Sequence, residues 1–471
     1  MKPIAIAFMC ATFAATGLAA QVTTAPALGA SPALRLPTVE RSVLPNGLTI
    51  LVSRNAEVPI VEGRLIIDGG ARLPNTPPGL ASFTGTMLTE GAGGRDALKL
   101  NEEIEFLGAR LTATAGWETF SLSVRAPKRN IDAAMGLMAD VLLRPTFASA
   151  DIKRQRDLRI AAFIRAKDQP GTVANRVFYR NVFPATHPYH LDLAGDSASI
   201  AKIDSAAVRN LWQRAADPRR ATLILTGDVT TAEATAWASG HFGSWTAPAG
   251  GAMKTPARLV AAAPHPATRV ILVDKPGAAQ SVIMIGGPGV DRASPDYPAI
   301  TLMNTIMGGS FSARLNDFLR EKLGYSYGAF SDFSWAPVPG PFMASAQVRT
   351  DVTDSSLIVF FREFKRMRNE PVSAAEVTRG RNYIVLGALS EYETAGQVAG
   401  AIVTSTNFHR PMATIPAEFA VIRHLGAADI QRAAQRYLDP ARLTIVIVGD
   451  VARIRAGIEK LKLGSIEVQT Y

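Results

Sequence analysis

Thiol chemistry has almost no material in this chain. Its 471 residues include one cysteine, Cys10, so a disulfide framework, a cysteine metal site and a Cys–His catalytic pair are all excluded. Cys10 falls inside an apolar N-terminal leader, and the mature chain is expected to carry no thiol. Histidine is scarce as well: the six are His187, His190, His241, His265, His409 and His424, and only the first two are neighbours. The Pro-Tyr between His187 and His190 suits a turn better than a helix face, and no carboxylate stands at ligand spacing, so the pair is not read as a metal site. Beyond the leader no stretch is long and uncharged enough to span a bilayer. Phosphate loops, serine nucleophile elbows and nucleic-acid motifs are missing too. The net charge of +10 is spread along the chain and not gathered in a block. Such charge serves solubility and favours acidic peptides or partners.

The chain opens with Met1-Lys2-Pro3, an apolar run from Ile4 to Leu18, and Ala19-Ala20-Gln21. That is the positive start, short hydrophobic core and small-residue cleavage site of a signal peptide over residues 1–20. Export to a periplasm follows as the expectation. Residues 21–37, rich in Ala, Pro and Thr, form a loose lead-in. The remaining length is too great for one ordinary core, which implies at least two domains. Arg41 to Val52 reads as a hairpin around Pro45-Asn46-Gly47, and Val61 to Gly69 as a further strand. Helices are expected over 79–89, 98–107, 131–143 and 150–166, with strands near 109–115 and 118–126. This order is α+β.

One phrase occurs twice. Asp217-Pro-Arg-Arg-Ala-Thr-Leu-Ile-Leu-Thr-Gly-Asp-Val229 and Asp439-Pro-Ala-Arg-Leu-Thr-Ile-Val-Ile-Val-Gly-Asp-Val451 share seven of thirteen positions at an offset of 222 residues. Gln213-Arg214 and Gln435-Arg436 precede them in register. Helix, Asp-Pro turn, buried strand and Gly-Asp turn recur in the same order, so two homologous halves are expected. Residues 38–247 make the first and 265–471 the second, with 248–264 as the linker.

In the second half, Asn304, Ile306 and Met307 lead into Gly308-Gly309-Ser310. Leu315, Phe318 and Leu319 then have helical spacing, and Gly324 ends the helix. Beyond it Tyr325, Tyr327 and Ala329 alternate with Ser326, Gly328 and Phe330 as in a strand. Arg320 at the helix end and Tyr327 seven residues later are expected to converge.

The phrase Arg320-Glu-Lys-Leu-Gly-Tyr-Ser-Tyr327 resembles the second-half motif of the pitrilysin and insulinase (M16) family of zinc peptidases. Leu44-Pro-Asn-Gly-Leu-Thr, Glu105-Phe-Leu-Gly-Ala-Arg-Leu, His187-Pro-Tyr and Ser312-Ala-Arg-Leu match the family in the same order, so the resemblance runs from about Pro37 to the C-terminus. It implies two homologous α/β sandwich-like halves forming one half of a clam-shaped peptidase. It also implies that Arg320 and Tyr327 hold the substrate backbone and stabilise a tetrahedral intermediate. Guanidinium and phenol donors suit that task.

The family's zinc motif, His-x-x-Glu-His, falls within Gly79-Leu-Ala-Ser-Phe-Thr-Gly-Thr-Met-Leu88. Ser82 and Thr86 stand at the two histidine positions and Gly85 at the general base. Ala162 falls where the distant glutamate ligand is expected, and Thr112 replaces a substrate-strand asparagine. Hydroxyls and a methyl are poor zinc ligands. On this alignment S82H, T86H, G85E and A162E together would return metal binding.

The resemblance therefore implies the metal-free subunit of a two-chain peptidase. No cofactor is expected in this chain, and zinc is expected in a partner that bears His-x-x-Glu-His, the pair acting on peptides. A non-catalytic scaffold or peptide-binding protein derived from the M16 fold is the alternative, and a self-sufficient hydrolase with other residues is a third.

Overall fold

The computed structural model describes residues 34–249, 259 and 261–470. The leader, most of the lead-in and most of the linker lie outside the described residues. Fourteen strands appear among them: β1 Glu40–Val43, β2 Thr49–Arg54, β3 Ile60–Asp68, β4 Gly91–Ala92, β5 Arg95–Asp96, β6 Arg110–Ala115, β7 Thr119–Pro127, β8 Ala221–Gly227, β9 Arg269–Asp274, β10 Gln280–Pro288, β11 Ser326–Phe333, β12 Pro341–Arg349, β13 Thr444–Gly449 and β14 Ser465–Gln469. They build two six-stranded mixed sheets, ordered β1-β2-β8-β3-β7-β6 and β11-β12-β10-β13-β9-β14, with β4 and β5 forming a small hairpin.

Read from opposite ends, the sheets are the same object. The central strands β8 and β13 are the repeated phrase, each parallel to one neighbour (β2 or β9) and antiparallel to the other (β3 or β10). The repeat fails at one edge. There β1 is the antiparallel partner of β2, whereas the C-terminal β14 occupies the matching place parallel to β9.

Alternation along the strands divides their side chains between two cores. In the first sheet Val61, Leu65, Ile67, Leu223 and Leu225 join a core with helices Leu80–Met87, Ile131–Leu143 and Thr231–Phe242. Ile66 and Ile224 point to the other face and meet Val398, Ala399 and Ile402 of helix Ala395–Asn407, which belongs to the second half. In the second sheet Val270, Leu272, Ile283, Ile285, Ile445 and Ile447 face that half's own helices. Ile271, Val273, Val282, Met284, Val446 and Val448 face Val173, Ala174, Val177 and Phe178 of helix Pro170–Val182, from the first half. Each half thus lends a helix to the other's sheet. This explains why β8 and β13 are apolar at consecutive central positions, 223–225 and 445–448, since a strand covered on both faces has no solvated side to mark by polarity.

The lent helices carry the same stripe, buried at 173, 174 and 177 in one and 398, 399 and 402 in the other. Thr394 caps the second through a reciprocal pair with Gln397. Polar contacts tie both down: Thr226 Oγ1 donates to Ala395 O at 2.8 Å, and Lys275 Nζ to Asp168 O at 2.8 Å. No helix of the described residues is long and apolar enough to cross a membrane.

Phe178 is fully buried where the first half's helix meets the second half's sheet. Phe178→Ala is expected to lower the unfolding free energy by about 3–5 kcal/mol, as other large-to-small core changes do. Urea denaturation measures it. A loss below about 1 kcal/mol would mean that the exchanged helix contributes little to holding the halves together.

Candidate functional site

The helix before Arg320 is not the regular α-helix that its spacing suggests. One α-turn, Arg314–Asn316, widens into a π-turn over Asp317–Lys322. Leu315 and Leu319 are buried as expected, while Phe318 stays at the core's margin. The widening persists in the cap. Leu323 N–H donates to Phe318 O at 3.0 Å, Gly324 N–H to Arg320 O at 3.1 Å and Tyr325 N–H to Leu319 O at 2.8 Å. The last two bonds are a Schellman closure, each spanning one residue more than the α-helical form. Gly324 adopts φ 61°, where L side chains are strained, and Gly108 ends the corresponding first-half helix at φ 60°.

The strand that follows departs from simple alternation. Ser326 pairs with Val348 and Ala329 with Ala346, so three steps on β11 match two on β12. This β-bulge holds Tyr327 and Gly328. Ser326 Oγ closes it, donating to Gly328 O at 2.6 Å and accepting from Gly328 N–H at 3.0 Å. The bulge reverses the face of Tyr327, as such insertions do. Unbroken alternation would send Tyr327 inward with Ala329. Instead Tyr327 is 88% exposed, while Tyr325 packs against the second core.

Arg320 and Tyr327 do converge. The Arg320 guanidinium carbon lies 4.9 Å from the Tyr327 ring centre and 4.6 Å from that of Phe311, and Glu321 is ion-paired to Arg320 Nε at 3.1 Å. Cation–π attraction holds the guanidinium near both rings. Phe311, Leu323, Tyr327 and Phe330 are all exposed, so the cation sits in an apolar surface patch.

One buried and one half-buried asparagine fix this patch from beneath. Asn316, fully buried, donates from Nδ2 to Phe311 O at 2.7 Å and accepts from Ala329 N–H at 3.1 Å, joining the Phe311 loop to β11. Asn304 donates from Nδ2 to Ser331 O at 3.0 Å and accepts from Ser331 Oγ at 2.7 Å, and its main-chain carbonyl accepts from Gly308 and Gly309 N–H. Sequence reasoning singled out Asn304 without a role and passed over Asn316. An asparagine beside Leu315 on the buried side of a helix was the available signal, since a buried amide must find partners.

The first half holds a different constellation. Helix Leu80–Met87 carries Ser82 and Thr86 one turn apart, and helix Ser149–Ala166 runs beside it. Arg159, one turn before the exposed Ala162, reaches between them: Nη1 donates to Ser82 Oγ at 2.9 Å and Nη2 to Thr86 Oγ1 at 3.0 Å. Its guanidinium carbon lies 5.2 Å from the Phe83 ring centre. Sequence reasoning missed Arg159 entirely.

Gly85 is a packing position. A Cβ there would lie 2.6 Å from Ala115 N and 2.7 Å from Thr114 C, both backbone atoms of β6. Thr112 is exposed on β6, which forms an edge of its sheet. The residues present therefore do not fit a zinc ion: two hydroxyls, a methyl and a guanidinium surround the place, and no side chain can grow from position 85. Among the described residues no group of three His, Cys, Asp or Glu side chains is placed to hold a metal.

His187 and His190 flank a single turn, Pro188–His190, as expected. His187 stacks on Phe183 at 4.4 Å and accepts from Tyr189 N–H at 3.2 Å. Burial and the nearby Arg72 cation push its pKa down. His190 Nδ1 lies 2.9 Å from Phe183 O.

With this geometry in view, the chain proves to belong to the M16 peptidase family. The family's insulinase model matches residues 49–187, and the model described as the peptidase M16 inactive domain matches 202–384. An uncharacterized zinc protease of Rickettsia bellii is 25% identical over 408 residues, 86% of this chain and 96% of that one. A probable mitochondrial-processing peptidase subunit beta of Arabidopsis thaliana is 23% identical over 434 residues, 89% of this chain and 80% of that one. Among solved structures, a peptidase M16 inactive domain from Pseudomonas fluorescens superposes with a TM-score of 0.78 at 25% identity, covering 87% of this chain and 98% of the other. A protease from Helicobacter pylori shares the fold at a TM-score of 0.80 and 17% identity, covering 88% and 100%.

The packing at Gly85 corrects the expectation that S82H, T86H, G85E and A162E together restore a metal site. Glutamate at 85 meets the β6 backbone, and Arg159 stands between positions 82 and 86. Even Gly85→Ala is expected to cost about 1–3 kcal/mol by overpacking. Denaturation of the single variant and elemental analysis of the quadruple variant test both points. One zinc per folded quadruple chain would contradict this account.

Proposed function

We propose that this chain is the subunit of an exported two-chain M16 peptidase that holds no metal and supplies Arg320 and Tyr327 to a partner's active site. The partner carries His-x-x-Glu-His and the zinc, and the substrates are peptides. The observation that carries the reading is the presentation of Arg320 and Tyr327. A widened helix end and a hydroxyl-closed bulge turn the pair toward the surface in an apolar patch, anchored by the buried Asn316 and the half-buried Asn304. Unusual helical turns and strand bulges are frequent at functional sites, where they re-aim side chains. A guanidinium fork holds a peptide carbonyl, and a phenol donates to an oxyanion once a partner has excluded water. The apolar rim of Phe311, Leu323 and Phe330 supplies the surface for that exclusion.

A scaffold role is the alternative, and it agrees equally with a first half in which Arg159 engages Ser82 and Thr86 and the β6 backbone packs against Gly85.

Kinetics of the assembled pair decide between them. Tyr327→Phe is expected to lower turnover on the order of 10²-fold, the usual effect of removing one oxyanion donor. Arg320→Ala should raise KM as well, since its contacts hold the ground state too. Tyr325→Phe, a change at the core's margin, should leave both constants close to wild type, and dimer formation should be unaffected throughout. Wild-type rates in both the Tyr327 and the Arg320 variants would leave the scaffold reading standing.

A further inference from the structure

Arg159 is a cation held by hydroxyls. Its two recorded hydrogen bonds end on neutral hydroxyls, whose own protons are committed elsewhere. Ser82 Oγ lies 3.0 Å from Leu193 O and 3.1 Å from Gly79 O as donor, and Thr86 Oγ1 donates to Ser82 O at 3.2 Å. Among the described residues no carboxylate ion-pairs with it. The acid that acts on it is Asp192, which is held by Arg176 Nε at 2.7 Å. Burial pushes the Arg159 pKa down, opposed only by Asp192, yet a guanidinium does not lose its proton in a protein. A desolvated charge without a counter-charge is costly. The Phe83 ring offsets part of that cost.

Of the five guanidinium N–H groups, two are used, leaving Nε–H and one on each terminal nitrogen. The side chain remains partly exposed, so these donors can be reached from solvent. A planar fork of free N–H groups carrying one positive charge is complementary to a carboxylate, in charge and in geometry.

We propose that the first half binds a peptide carboxylate through Arg159, at the place where catalytic relatives hold their metal. The hydroxyls of Ser82 and Thr86 fix the guanidinium, and its free edge receives the anion. This gives the first half a substrate-holding role independent of Arg320 and Tyr327. It is tested on this chain alone, so the failure of either reading leaves the other intact.

Calorimetric titration of the full chain at low ionic strength would use three N-acetylated alanine-based tetrapeptides. One has a free C-terminus, one is amidated, and one is amidated with an internal glutamate. At least one of the two carboxylate-bearing peptides is expected to bind roughly tenfold or more tighter than the neutral one, the scale of a charge-assisted bond. Which one does so identifies the source of the carboxylate. Arg159→Gln should abolish the difference, and Arg159→Lys, which keeps the charge and loses the fork, should retain part of it. In wild type the Arg159 Nε–H resonance should move only with the preferred carboxylate peptide, a readout that survives if a variant fails to fold. Equal affinity for all three peptides, or a difference that persists in Arg159→Gln, would overturn the proposal.

Discussion

The exchange of helices between halves is the constraint on which the rest depends. A mixed sheet whose strands are apolar on both faces cannot stand with one face in water. Here each sheet receives its second cover from the other half, Pro170–Val182 on one and Ala395–Asn407 on the other. Neither half can complete its hydrophobic burial alone, which makes the described portion of the chain, Leu34 onward, one compact unit despite its internal repeat. The edges left over by this arrangement, β6 and β11, are where both constellations of interest lie.

At those two edges the repeat has been used differently. Gly108 and Gly324 end corresponding helices with nearly the same φ, so the local frames began alike. In the second half a widened helix and a bulge turn an arginine and a tyrosine outward. In the first half the neighbouring helix lies so close to β6 that position 85 tolerates only glycine, and an arginine from an adjacent helix fills the gap between two hydroxyls. The absence of metal ligands at these positions goes together with close packing. Once backbone atoms occupy the space at 85, single substitutions cannot reopen it, because close-packed interiors do not yield to an added side chain without strain.

Polar groups set the precision of the second-half site more than apolar ones do. The Asn316 amide joins Phe311 O to Ala329 N–H, and the Asn304 amide engages both the carbonyl and the hydroxyl of Ser331. An amide with both ends engaged has one geometry, whereas apolar contacts tolerate sliding. Arg320 and Tyr327 therefore rest on a hydrogen-bonded base, with the Tyr327 ring exposed and the Arg320 side chain half-buried beside it.

Much of this was legible in order along the chain. The repeated Asp-Pro to Gly-Asp-Val phrase marked the two halves, the α+β succession marked the layers, and Arg320-Glu-Lys-Leu-Gly-Tyr-Ser-Tyr327 marked the second-half constellation. Such features are local: turn residues, strand apolarity and a helix-ending glycine act within a few residues of themselves. Three things were decided only by tertiary structure. The direction of Tyr327 depended on a bulge against β12, which the period of its own strand contradicts. Helix Pro170–Val182 was not among the helices expected from the sequence, and its burial on the opposite half's sheet needed that sheet to be short of cover. Arg159 drew no reading from its own surroundings in the chain, and it became a fixed cation because residues 77 and 73 positions earlier present hydroxyls to it. In each case the deciding partner lies far away in sequence, and no local pattern encodes which distant surface will be left open.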